Sequence, residues 1–232
     1  MLMLVNYLYV MIRPLYMLSF LTIALLACQK NDAISKYDVL YNVRFEATWS
    51  DSTHPGSYPG NAHFSPLVAL SHAPNFFMFF SGYPASDGLR ILAETGQTDS
   101  LLDEFSFAIN TGQALDARLG PEVPSPGQGS LDIGVTSTRH AVTVVSMIAP
   151  SPDWFVAGRA VLFDAQDGQW YDKVTIDAIS LDAGSDAGSD FTSPNMPMDS
   201  VSGVYPITTG PLIQPGDTLV QNMGKFIFER IQ

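Results

Sequence analysis

Residues 38–49 alternate in polarity with a period of two. Val39, Tyr41, Val43, Phe45, Ala47 and Trp49 fall on one face, all apolar. Asp38, Leu40, Asn42, Arg44, Glu46 and Thr48 fall on the other, five of the six polar. Successive strand side chains point to opposite faces, so this pattern predicts a strand over Tyr37–Trp49 with one face buried and one wet. Further strands are expected from Phe76–Phe80, a continuous apolar run closed by Gly82, and from Leu131–Val135 and Ala141–Ile148. The last two are separated by Thr-Ser-Thr-Arg-His, which predicts a hairpin or neighbouring strands. Phe155–Phe163 and Trp170–Leu181 are split by Asp-Ala-Gln-Asp-Gly, a turn signal, and the alternating Phe226–Ile231 closes the set.

Helical character is expected only over residues 85–109, as two short helical turns. Ser86 or Asp87 is placed to cap the first, and Asp99 or Ser100 the second. The stretches 51–75 and 112–129 are rich in Pro and Gly and read as long loops. Seven or so short strands with loop punctuation predict an all-β chain, an antiparallel β-sandwich with long loops and short helical turns. No repeat at solenoid spacing accompanies them.

The amino terminus follows different rules. Arg13 is the first charge, and an apolar run from Leu15 to Ala27 follows it. That is the n-region and h-region of a secretory signal peptide, too short to favour a membrane-spanning helix. Met1 and Met11 both stay open as the start. The run ends Leu25-Leu26-Ala27-Cys28, which resembles a bacterial lipobox, where cleavage precedes an acylated cysteine. An uncleaved anchor or an ordinary signal peptide with an incidental Cys28 is the competing reading. The expected organisation is a lipoprotein-type signal peptide at 1–27, a polar tether at 28–36 and one domain at 37–232. Lipid on Cys28 would hold the protein to a membrane surface. Gln29 after the cysteine points to the outer membrane or cell surface as the location.

Composition narrows the function classes. Hydrophobic content of 46% supports a real core and excludes a disordered chain. Eleven basic against 23 acidic side chains, a net charge of -12, exclude charge-driven binding to nucleic acid. Cys28 is the lone cysteine, so no internal disulfide supports the fold.

Candidate chemistry concentrates in residues 149–191. Asp153 sits in a Ser-Pro-Asp-Trp loop, and Asp182, Asp186 and Asp190 follow at four-residue intervals among Ala, Gly and Ser. Hard cations take oxygen ligands, and carboxylates gathered without a cation repel one another. Spacing alone leaves a calcium loop and a solvated acidic loop both open. His54, His63 and His72 lie nine residues apart without the helical i, i+4 placement of zinc sites, so they read as backbone-bonded histidines. Trp49, Trp154 and Trp170 suit core packing, with a sugar-stacking platform as the alternative. No Gly-x-Ser-x-Gly or His-Glu-x-x-His is present, and Ser86 with His140 is a pair only if the fold brings them together.

Several segments together resemble the spondin N-terminal domain family (F-spondin/mindin-like). In order they are YNVRFEATWS, HPGSYPGNAHFSPLVALSH, SGYPASDGLRILAETG, SMIAPSPDWFVAG, Trp170, LDAGSDAGSDFTSPN and FIFERI, covering about Val39 to Ile231. The resemblance implies a β-sandwich that binds calcium through the SPDW and DAGxD loops, here Asp153, Asp182 and Asp186. It also implies adhesion to an extracellular protein or glycan rather than catalysis. Asp190 departs from the family, which usually carries a non-acidic residue there. The sequence also has neither the further cysteines nor the thrombospondin-type repeats of animal members. The expected protein is therefore a secreted, membrane-anchored, calcium-binding adhesion or ligand-binding domain. A metal-dependent hydrolase and a structural envelope protein with calcium only stapling loops are the alternatives.

Overall fold

A computed structural model describes residues 36–55, 57–213 and 222–232. The expected signal peptide, Cys28 and the tether up to residue 35 lie outside the described residues. Lys36 to Gln232 forms one compact unit. Its elements, in order, are β1 (Val39–Ala47), β2 (His63–Phe64), β3 (Val68–His72), α1 (Asp87–Thr95), α2 (Asp99–Asn110), β4 (Ala114–Leu119), β5 (Val123–Pro124), β6 (Gly127–Val135) and β7 (Ala141–Ala149). Then come β8 (Trp154–Val161), β9 (Phe163–Asp164), β10 (Gln169–Trp170), β11 (Lys173–Asp177), β12 (Ile179–Asp182), β13 (Tyr205–Pro206) and β14 (Gly224–Arg230). No helix among the described residues is long and apolar enough to cross a membrane.

The fold is the expected all-β sandwich. One sheet runs β11-β14-β1-β6; the other runs β13-β12-β8-β7-β2-β5, with β3 and β4 extending from β7 beside β2. β1 obeys its sequence pattern, since buried and half-buried positions alternate along its whole length. Its inward residues meet Phe226 and Phe228 of β14, Ile133 of β6, and Val142, Val144, Trp154 and Val156 of the facing sheet. Each fully buried Val or Phe there contributes roughly 1.5–3 kcal/mol through removal from water.

A second core lies on the outer face of the larger sheet. Val145, Met147, Phe155, Ala157 and Leu181 pack there against Leu89, Leu92, Leu101 and Phe105 of the helices. β7 therefore serves two cores and is buried at every position, which is why its sequence shows no alternation. The helices are longer than the two turns expected, with 9 and 12 residues. Ser86 caps α1 by accepting from the Leu89 N–H, and Gly96 ends that helix in the left-handed conformation, φ 73°. α2 starts differently from expectation: Thr98 is its N-cap and makes no side-chain capping bond. Glu104 of α2 instead reaches back to α1, accepting from the Gly88 N–H at 2.7 Å and the Ser86 hydroxyl at 2.6 Å.

Four expectations are corrected. Phe76–Phe80 forms no strand; it is an irregular segment with Phe77 44% and Phe80 54% exposed, because a short apolar run cannot by itself specify a strand. Two stretches read as loops contain strands: β2 and the fully buried β3 in one, β4 and β5 in the other. Leu131–Val135 and Ala141–Ile148 are neither a hairpin nor neighbours, since β6 pairs with β1 and β7 pairs with β8. Trp170–Leu181 is three strands: β10 pairs β9, β11 pairs β14, and β12 pairs β8. The chain changes sheets at buried Ala178, whose N–H donates to the Gly224 carbonyl.

Candidate functional site

Antiparallel register brings the two acidic loops together. β8 begins at Trp154 opposite Asp182, the last residue of β12. The residue before one strand and the residues after the other therefore share one end of the sheet, and the Ala183 N–H donates to the Asp153 carbonyl at 3.1 Å. Gly184 turns the chain at φ +75°, and a Cβ there would stand 2.4 Å from Ser202 Oγ. A Cβ on Gly188 would stand 2.6 Å from Pro152 Cγ, so the loops touch at a place only glycine fits.

Asp153 lies at the centre, with no exposed surface. Its Oδ2 accepts from the backbone N–H groups of Ser185 at 2.7 Å and Asp186 at 3.0 Å, and from the Ser185 hydroxyl at 3.2 Å. Its Oδ1 is equally buried and accepts from nothing. Burial pushes the Asp153 pKa up to about 6; the Ser185 N–H pulls it back, and the nearby Asp182 carboxylate pushes it up again. Asp182 accepts from the Gly184 N–H at 2.7 Å and from Trp154 Nε1 at 3.2 Å. Its pKa is also raised, first by burial, with the charge of Asp186 adding to the effect against those two bonds. Asp186 is 5% exposed and accepts from the Gly188 N–H at 2.7 Å and the Met196 N–H at 2.8 Å.

Among the described residues none of these three aspartates forms an ion pair. Nor do three His, Cys, Asp or Glu side chains among those residues stand as a ready-made metal-holding group. The carboxylates are turned onto backbone N–H groups, which hold the loops in shape. Each oxygen of Asp182 and Asp186 accepts one bond and keeps a lone pair, Oδ1 of Asp153 keeps both, and its Oδ2, with three donors, is saturated. The lining is all oxygen and carries an unpartnered buried acceptor, so Asp153, Asp182 and Asp186 are the residues a hard cation would draw on at this end of the sheet. Asp190 is exposed and accepts from its neighbour's N–H, that of Phe191, at 2.7 Å.

The other candidates are engaged elsewhere. His63 Nδ1 bonds the Asn61 carbonyl at 2.8 Å, and its ring faces Glu122 at 3.2 Å. His72, on a strand rather than in a loop, donates from Nδ1 to the Ala73 carbonyl and accepts at Nε2 from the Thr143 hydroxyl, both at 2.8 Å. His54 Nδ1 meets Thr53 Oγ1 at 3.0 Å. Ser86 is occupied as a helix cap, while His140 bonds the Ser137 carbonyl and packs on Phe163. Trp49 and Trp154 both pack on Phe191 within the core, and Trp170 packs on Phe163 at its edge. Sequence reasoning missed the clasping roles of Ser185, Trp154 and Met196. Adjacency to the aspartates in SPDW and DAGSD was the available signal for the first two; nothing marked Met196.

A two-sheet sandwich capped by two helices, with paired acidic loops at one end of its larger sheet, defines the class of domain. The Spondin_N family model matches residues 39–219, and the chain belongs to that family. It is 30% identical to Spondin-1 of Homo sapiens over an alignment of 210 residues that covers 82% of this chain and 25% of that protein. It is 35% identical to Spondin-2 of Rattus norvegicus over an alignment of 172 residues that covers 71% of this chain and 52% of that protein. The match thus spans a quarter to a half of these relatives' length.

Proposed function

We propose that this protein is an extracellular ligand-binding domain of adhesion type that takes up calcium between the SPDW and DAGSD loops. Asp153, Asp182 and Asp186 hold the ion, and lipid on Cys28 tethers the domain to the cell envelope. Family membership supports the adhesive role. The observation that carries the cation reading is Asp153, wholly buried with one oxygen unpartnered beside a second carboxylate. Bound calcium supplies charge neutralisation, and so couples loop order to the ion. Ser185, Asp186 and Gly188 hold the two loops in register, and Trp154 orients Asp182. The partner is an extracellular protein or glycan. Ser86 is engaged as a helix cap and His140 bonds a backbone carbonyl, so that pair lends a hydrolase reading no support.

Calorimetry with calcium on the chain lacking residues 1–27, wild type against Asp153→Asn, tests the site. Heat in the wild type at or below the millimolar range, lost in the variant, supports it; no heat at several millimolar defeats it, since extracellular modules bind that weakly. One observation favours a second reading, in which calcium only staples the loops: Asp153 and Asp186 are buried, so an ion held by them faces the loops rather than a ligand. A glycan and matrix-protein array with and without chelator separates the two. Ligand capture that survives chelation favours stapling.

A further inference from the structure

The outer face of the larger sheet carries a second site, away from the aspartates. Register sets Arg159 of β8 opposite Thr143 of β7, and both line a cavity of about 280 Å³. Ala157 shares its floor, Ile179 and Leu181 of β12 form one wall, and Phe77 belongs to the other. None of the three clasping aspartates lines it, so the site is independent of the cation reading.

Arg159 is the anomaly. The chain has a large surplus of acid, and Arg44, Arg90, Arg118 and Arg230 each meet a carboxylate, while Arg139, like Arg159 without one among the described residues, bonds the Gly112 carbonyl and the Thr138 hydroxyl instead. Arg159 meets none among the described residues. One Nη donates to the Pro74 carbonyl, and the guanidinium lies 4.8 Å from the centre of the Phe77 ring. Its Nε–H is buried and donates to nothing. The guanidinium is half-buried, but its idle Nε–H is wholly so, and a carboxylate is the group that would satisfy it. Burial already lowers the Arg159 pKa, the sign that its charge lacks compensation.

The pocket's chemistry defines the ligand. Its walls are mostly aliphatic and aromatic. The Thr143 hydroxyl proton is committed to His72 Nε2 at 2.8 Å, because His72 Nδ1 donates to the Ala73 carbonyl. Among the described lining residues Arg159 is then the charged donor facing an anion, with the Ser81 hydroxyl the other side-chain donor. A guanidinium pairs side-on with a planar carboxylate through two parallel bonds. The volume, at the low end for ligand sites, suits a molecule of about ten non-hydrogen atoms. We propose that this pocket binds a small molecule with an apolar body and a single carboxylate, the carboxylate paired with Arg159. Nε is buried, so a carboxylate reaches it only if a neighbour gives way, and the Phe77 ring beside the guanidinium is the one free to do so. That ring is 44% exposed and belongs to no strand, so little packing opposes it.

The test uses the full chain in lipid nanodiscs, in chelator, with empty discs as blank. Ligand-observed NMR titrations compare 3-phenylpropanoate and octanoate with their uncharged amides. The expected Kd for an acid is roughly 0.1–1 mM, at least about tenfold tighter than its amide. That gap collapses in Arg159→Met and survives in part in Arg159→Lys, with thermal melting confirming that each variant folds. A gap with either acid supports the site, and the better of the two tells whether aryl or acyl bodies fit. Equal binding of acid and amide, no acid binding at several millimolar, or an undiminished gap in Arg159→Met overturns it. The acid–amide comparison needs no variant, so it stands even if Arg159→Met does not fold.

Discussion

Asp153→Asn, followed by thermal unfolding in chelator and in calcium, probes the acidic clasp most directly. In the metal-free fold burial raises the Asp153 pKa from 3.8 to about 6. The unfolded chain gives up this proton near 3.8, the folded chain only near 6. The associated stability is therefore fully present below about pH 3.8 and is lost as pH rises through about 6. At 1.36 kcal/mol per pH unit the loss is about 3 kcal/mol, or roughly 6–12 °C in Tm for a domain of this size. The Asn variant carries no such charge and keeps an oxygen for the Ser185 and Asp186 N–H groups. In chelator, the wild type is expected to lose about that much Tm relative to the variant between about pH 4 and 7.5. Calcium at a hundred times its Kd returns about 2.7 kcal/mol to the wild type at neutral pH and little to the variant. Parallel pH curves for the two proteins in chelator, or equal calcium shifts, would refute the reasoning.

Two further expectations concern the fold. Burial holds the His72 pKa down at about 4 from 6.5, with Arg159 adding to the effect, so its stability is fully present above about 6.5 and lost as pH falls towards 4, by about 3 kcal/mol. Asp153 titrates in the opposite sense over an overlapping range, so the term shows only as a difference: His72→Gln should soften acid destabilisation in circular dichroism, and an unchanged acid limb would count against it. Gly88→Ala would set a Cβ 2.6 Å from the Leu101 Cα, which is backbone of the second helix and cannot turn aside. Roughly 1–3 kcal/mol of destabilisation should follow, read as a lower urea midpoint. An unmoved midpoint would show that the two helices separate freely.

The polarity pattern by itself determined β1, because one of its faces meets the core and the other meets solvent. It located β7, β8 and β14 as strands and the Asp164–Gly168 turn, but partnership lay beyond it. Strand pairing joins residues far apart in the chain, so only the tertiary structure set β6 beside β1 and sent residues 170–182 into three different pairings. Phe76–Phe80 and Val68–His72 show the same limit from opposite sides. An apolar run stays irregular where no strand edge takes it up, and a segment between prolines becomes a buried strand where β7 offers one. The site divides likewise. The residue types and the small residues around them marked the two loops as the candidate site, with a cation loop and a solvated acidic loop both open on spacing alone. That Asp153 would be wholly buried, clasped by Ser185 and Asp186 with one oxygen idle, followed only from β8 and β12 pairing in a register that ends both strands at the same place.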